Sequence, residues 1–435
     1  MFYLIIAYQI VIFVLFVFLY NKILFKNGLL NLSFFHYTYY FVFYFLGAGV
    51  LYSVGGLENN LYFFSATLYP LISLMGMYTI NTIYRKNKFD LLVFKQTSIK
   101  FVYFFAAAIV FAYVATLDRI PIMDVLQGDS AAAAIARSLV TKEYEGPKSL
   151  YYLYRIVIDY LLIFIAIYVY VKDGRFTVKL AFLLAVIMIV STLDTQKYPA
   201  MNILLMLFIA VFIYKNIRTK PHADLSLFIN FKVIVVLAIA YLAIGFLWAS
   251  VSGRLLERSA MAQSKSIAES AKSMVGDRLL FGQNRVLYVT YEMVPQKYDY
   301  FYGKTFPNPL RLLPYEPVIF SYLTYDELHP ESIGGNVRGS GPAVFYSVIY
   351  ANFGIIISFI SMYFFGMFMQ FVNNFLISNN KYMIPYRFMW LNYMTLFSLS
   401  FDTIYNSEKF FFLLLMYFVL FYKTKNRFPN SERLA

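Results

Sequence analysis

Long apolar runs recur from one end of this chain to the other, and they leave it few environments in which to fold. About 20 mainly apolar residues are enough for a helix to cross the hydrocarbon of a bilayer. Roughly eleven runs approach that pattern: 2–20, 33–53, 61–83, 101–116, 151–171, 180–194, 200–214, 233–251, 343–370, 388–404 and 410–422. The runs at 180–194 and 200–214 are short enough to form a re-entrant pair. Only 14% of the 435 residues are charged and 60% are hydrophobic, whereas a soluble domain carries about 25% charged residues. Too little polar surface is available to cover such a chain in water. The reading is an all-α, polytopic transmembrane helical bundle in which 1–435 form a single transmembrane domain. Two polar stretches, 117–150 and 252–342, are the smaller and the larger outer loop.

Charge placement orients the bundle. The formal net charge is +14, which in a soluble chain would suggest nucleic acid. Here the bases fall in alternate loops: Lys22 and Lys26; Arg85, Lys86, Lys88 and Lys95; Lys172, Arg175 and Lys179; Lys215, Arg218 and Lys220; Lys381 and Arg387; Lys423, Lys425, Arg427 and Arg433. Alternating spans put all of them on one side, which the positive-inside bias makes cytoplasmic. The N-terminus is then outside and the C-terminus inside. No base precedes the run Phe2 to Tyr20, so it reads as an uncleaved span rather than a signal peptide. The chain has no cysteine and three scattered histidines, His36, His222 and His329, a poor donor set for a disulfide or a zinc site. No internal repeat is visible, which argues against a transporter built from two similar halves.

The outer loops carry local signals. Asp129-Ser130 is a helix N-cap pattern ahead of Ala131–Val140, and Gly146-Pro147 ends that element. Ser252 caps a helix expected from Gly253 to about Met274. Phosphate-binding glycine loops, zinc spacings and nucleophile elbows are missing from the sequence. What remains is a set of bases at the outer side. Arginine suits phosphate because its planar fork grips two oxygens and never loses its proton. Arg254 and Arg258 are one helical turn apart. Arg278 and Arg285 share a face if their stretch is helical. Arg311 lies between Pro309 and Pro314, and Arg338 lies in the glycine-rich run Gly334 to Gly341. Each taken singly also reads as a solvated surface charge. Lys197 occupies a short outer turn, Asp194 to Pro199, either as a snorkelling lysine or as a cation fixed at the height of a lipid phosphate. Arg155 and Asp159, four apart inside a span, read as a self-neutralising pair or as the lining of a cavity. Asp402 sits near the outer end of its span.

Several short elements together resemble a known family. Gly334-Gly335, Gly341-Pro342, Tyr346 and Tyr350-Ala351-Asn352-Phe353-Gly354 resemble the end of the large periplasmic loop of Wzy-type O-antigen and oligosaccharide repeat-unit polymerases. Tyr302-Gly303-Lys304-Thr305, Pro309-Leu310-Arg311 and Pro314-Tyr315-Glu316-Pro317 are similar to upstream elements of that family. Tyr315 and Glu316 stand where Trp and Lys are usual. Lys197 is similar to the family's basic element at the outer start of a span, with Tyr198 replacing Gly. The likeness covers mainly 190–370.

The resemblance implies a GT-C-like membrane fold related to O-antigen ligases. It implies a metal-independent, cofactor-free enzyme in the bacterial inner membrane, with its chemistry on the periplasmic face. A growing glycan would pass from undecaprenyl diphosphate to a hydroxyl of a new lipid-linked repeat unit. Lys197, Arg278, Arg285, Arg311 and Arg338 would hold the diphosphate, and Glu316 or His329 would take the acceptor proton. Partners would be undecaprenyl-diphosphate-linked oligosaccharides, membrane lipid, a chain-length-regulating co-polymerase and a flippase, with no nucleic acid. The competing readings are an O-antigen ligase of the same fold and a lipid-linked oligosaccharide flippase. A transferase using polyprenyl-phosphate sugars fits less well, because the first outer loop holds only Glu58 and Asp118, Asp124 and Asp129 are spread out.

Since the chain has no cysteine, single introduced cysteines report topology directly. In spheroplasts, Lys86→Cys and Lys381→Cys are expected to resist a membrane-impermeant maleimide and Lys265→Cys to react. The opposite labelling pattern would invert the orientation.

Overall fold

The computed structural model describes residues 2–26, 29–53, 56, 59–83, 92–127, 144, 146–193, 197–219, 282–306, 314–330, 341–376, 380–399 and 403–423. The chain is mostly helical. Among the described residues, six helical stretches are long and apolar enough to cross a membrane: Phe2–Ile23, Ser33–Ser53, Asn60–Ile83, Ser98–Ala115, Lys148–Asp173 and Phe345–Phe375. Each matches a run read from the sequence to within a few residues. The expected pair at 180–194 and 200–214 forms shorter apolar helices, Val178–Thr192 and Pro199–Val211. The span expected at 233–251, the helices expected at 131–140 and 253–274, and Asp402 lie outside the described residues.

The elements run in order as α1 (Phe2–Leu24), β1 (Phe25–Lys26), β2 (Leu29–Leu30), α2 (Ser33–Tyr40), a π-helical turn (Phe41–Phe45) and α3 (Leu46–Ser53). There follow α4 (Asn60–Ile83), β3 (Leu92–Phe94), α5 (Ser98–Ala115) and α6 (Pro121–Leu126). A continuous helix comprises α7 (Lys148–Ile156), a second π-helical turn (Val157–Leu161) and α8 (Leu162–Asp173). Then come α9 (Val178–Thr192), α10 (Lys197–Thr219), α11 (Gln283–Met293), α12 (Phe320–Leu328), α13 (Phe345–Phe375), α14 (Met383–Leu399), α15 (Thr403–Leu420) and β4 (Phe421–Lys423).

Contacts between connecting segments sort the helix ends into two groups. β3 pairs antiparallel with β4. Phe94 packs on Tyr168 near the end of α8 and on Tyr382 just before α14. Asn31, ahead of α2, donates to Gln370 of α13 at 2.9 Å, and the Leu32 N–H donates to Asn373 at 3.2 Å. Arg387 donates to the same Asn373 oxygen and to the Leu376 carbonyl. The segments carrying Lys95, Lys172, Lys381, Arg387 and Lys423 therefore meet at one end of the bundle. The 292–306 and 341–352 segments gather at the other end with Asn59, where Asn59 donates to Glu292 at 2.7 Å.

Helices α4 and α13 make the closest pairing. Small residues let the two backbones touch. A Cβ added at Gly366 would lie 1.7 Å from the Ser73 carbonyl oxygen, and one at Gly76 would lie 2.0 Å from that of Tyr363. Between helices in lipid, attraction comes from close packing and hydrogen bonds rather than from expulsion of water. Thr79 and Tyr363 hydroxyls, 2.7 Å apart, add one such bond along the seam. Around it, Tyr37, Tyr40, Tyr44, Tyr62, Tyr69 and Tyr346 are almost wholly buried. Gly366→Ala is expected to cost roughly 2 kcal/mol or more by overpacking a rigid contact, seen as an earlier thermal transition in detergent. Unchanged melting would show that the seam is looser than these distances.

Candidate functional site

Pro70 lies inside α4 and lacks the N–H that would bond the carbonyl of Ala66. The Tyr40 hydroxyl donates to that carbonyl at 2.9 Å and lies 2.7 Å from the Tyr346 hydroxyl at the start of α13. Two carbonyls of the first π-helical turn also accept bonds from other helices. Gln9 donates to Phe45, and Asn284 of α11 donates to Phe43 at 2.8 Å. Asn284 also accepts from the Tyr62 hydroxyl at 3.0 Å. These bonds fix α11 to the bundle and leave its Arg285 exposed.

The break in α13 organises the segment above it. Gly354 has φ 83° and ψ −178°, a conformation that suits glycine, and interrupts the helix. The freed carbonyls of Ala351 and Asn352 accept from the N–H groups of Phe301 and Tyr302 at 3.0 and 3.2 Å. The Asn352 side chain completes the clamp: its oxygen accepts from the Gly303 N–H at 2.8 Å, and its amide donates to the Thr305 hydroxyl at 2.6 Å. Tyr350 donates to the Val294 carbonyl and its ring stacks on Tyr291, with centroids 4.3 Å apart. Thus Tyr302-Gly303-Lys304-Thr305 and Tyr350 to Gly354, nearly fifty residues apart in sequence, form one unit. The Val318 N–H donates to the Lys304 carbonyl at 2.8 Å, which lays the segment holding Glu316 beside it. Gly341 closes against α12, where Thr324 donates to its carbonyl; a Cβ at Gly341 would sit 2.9 Å from the Thr324 hydroxyl.

Of the sequence-derived site residues, Arg285, Glu316 and His329 are all exposed in this layer. Glu316 precedes α12 and His329 follows it, so about 13 Å of helix separates them. The His329 ring packs on Tyr325 at 4.7 Å. Lys197 is the first residue of α10. Arg278, Arg311 and Arg338 lie outside the described residues, as do Arg254 and Arg258.

A second polar group sits within the bundle. Asp159, with its side chain 3% exposed, lies in the second π-helical turn and meets Arg155 at 3.3 Å. The pair is not self-contained, because Lys409 of α15 approaches the other carboxylate oxygen at 3.6 Å. The Asp159 backbone carbonyl accepts from Asn392 of α14 at 2.7 Å, and the Asn392 side-chain oxygen accepts from Asn202 of α10 at 2.9 Å. One aspartate thereby links α7–α8 to three other helices. Lys409, Asn392 and Asn202 escaped the sequence reading. Their signal was two amides inside apolar runs and a lysine at the edge of one, where polar groups face a partner or a cavity. No protein-family model, no curated protein and no solved structure matches the chain.

Removing one partner of a buried ionic group strands the others, at a cost of about 3–5 kcal/mol. Asp159→Ala is expected to destabilise on that scale, and adding Lys409→Met to recover part of the loss, measured by thermal unfolding in detergent. Strictly additive effects would dismiss the coupling.

Proposed function

We propose that the chain is a GT-C-like membrane glycosyltransferase that polymerises undecaprenyl-diphosphate-linked oligosaccharide repeat units on the periplasmic face of the bacterial inner membrane. The observation that carries this reading is the clamp at Asn352. It joins two of the sequence elements that resemble repeat-unit polymerases, and it does so at the end of the bundle opposite Lys95, Lys381 and Lys423. Exposed Arg285, Lys304 and Glu316 share that layer.

The chemistry fits such a surface. The anomeric carbon–oxygen bond to the lipid diphosphate breaks as the acceptor hydroxyl bonds to the same carbon. The leaving group departs as an anion, and fixed cations stabilise its growing charge. Arg285 and Lys197 are the described members of the set that would do this, with Arg278, Arg311 and Arg338. The acceptor proton goes to Glu316 or His329. A flippase is the reading that buried Asp159 with half-buried Arg155 and Lys409 would favour, since charges inside a bundle line transport paths. A ligase of the same fold would share the donor and differ in the acceptor.

Purified protein in liposomes with lipid-linked repeat units is expected to produce a ladder of longer glycans. Arg285→Ala is expected to slow it by about 10²-fold, the scale of losing one charge-stabilising group. Movement of the lipid between leaflets without a ladder would replace the polymerase by the flippase.

A further inference from the structure

Residues 301–304 form a tight turn closed by the Lys304 N–H donating to the Phe301 carbonyl at 3.0 Å. Both central residues have positive φ, 48° at Tyr302 and 90° at Gly303. Turns of that class favour Gly, Asn and Asp, because a Cβ in the left-handed region crowds the carbonyl and costs roughly 1–2 kcal/mol. Tyr302 is the one non-glycine residue with positive φ among the described residues. The fold gets little in return, since the residue is 73% exposed. A ring kept at a strained position and turned outward points to use outside the fold.

The turn is held firmly. Asn352 and the broken end of α13 bind the N–H groups of Tyr302 and Gly303. Gly303 backs onto Phe306 and Phe353, whose rings stack at 6.0 Å, and Tyr300 meets Tyr302 edge-on at 6.4 Å.

Height along the bundle narrows what the ring can meet. Below Gly354, α13 continues to Phe375, about 30 Å of helix and enough to cross the hydrocarbon. Its exposed residues Ile356, Ile357, Ile360 and Phe364 form the lipid-facing side. Tyr302 therefore sits at the upper boundary of the hydrocarbon. It is not simply a continuation of the apolar side, because Asp299, Lys304 and Glu316 around it are exposed and polar.

We propose that Tyr302 is a stacking platform for the membrane-proximal sugar of a lipid-linked glycan. This rests on the function proposed above and adds a specificity-determining residue to it. One face of a pyranose ring presents polarised C–H bonds, and these match the negative face of an aromatic ring. At this height the ring meets the sugar next to the diphosphate, and Lys304, two residues along, is placed for the polar edge.

The test uses full-length protein in nanodiscs and two probes: a short-chain prenyl diphosphate carrying one hexose, and the same prenyl diphosphate without sugar. Tyr302→Gly removes the ring and relieves the backbone, so it is expected to melt no earlier than wild type. It should weaken the sugar-bearing probe about tenfold, the scale of one aromatic contact, and leave the sugar-free probe unchanged. Tyr302→Phe should bind both as wild type does. Equal loss of both probes would make Tyr302 an interfacial anchor and overturn the proposal, as would no loss of either. If wild type binds neither probe, the lipid-linked glycan reading itself falls, and the stacking role with it.

Discussion

Inside a bilayer no water is available to bond a stray carbonyl, so every interruption of a helix needs an internal donor. The rest of this structure depends on how that requirement is met. At Pro70 the donor is the Tyr40 hydroxyl, at Asp159 it is the Asn392 amide, and at Phe43 and Phe45 the donors are Asn284 and Gln9. Each donor comes from a different helix from the one it repairs. The breaks are consequently the places where the bundle is cross-linked. A helix without them could slide or rotate against its neighbours, since apolar surface is equally at home against lipid.

The break at Gly354 differs because its donors are backbone N–H groups of the segment above the bundle. That single glycine sets where the outer layer attaches. The carbonyls it frees fix Phe301 and Tyr302, Asn352 fixes Gly303 and Thr305, and Lys304 in turn holds the stretch containing Glu316. Position and rigidity reach the exposed residues from the hydrogen-bond needs of a helix, not from a core of their own. A segment attached this way is held at a fixed height above the end of the bundle.

The glycine seam of α4 and α13 supplies the complementary rigidity. Gly76 and Gly366 bring two backbones into contact and leave no space for adjustment. The helix that carries Asn352 and Gly354 is therefore held from below. The Asp159 group fastens the α7–α8 helix to α10, α14 and α15.

Hydropathy alone located six long helices, because a span is defined by local composition over about 20 residues. The six long helices fall where the apolar runs do, and the weak runs at 180–194 and 200–214 became the short helices. The family resemblance also singled out Tyr302 to Thr305 and Tyr350 to Gly354. It could not show that they touch, since their union depends on carbonyls freed by a kink that only the folded helix possesses. Arg155 and Asp159 were legible as a pair from their spacing. Lys409, Asn392 and Asn202 were not, because nothing in or beside an isolated apolar run says which way a polar residue faces. Sequence determined what must be buried in lipid, and tertiary structure decided which polar groups meet there. That choice belongs to helix rotation and contact between distant segments.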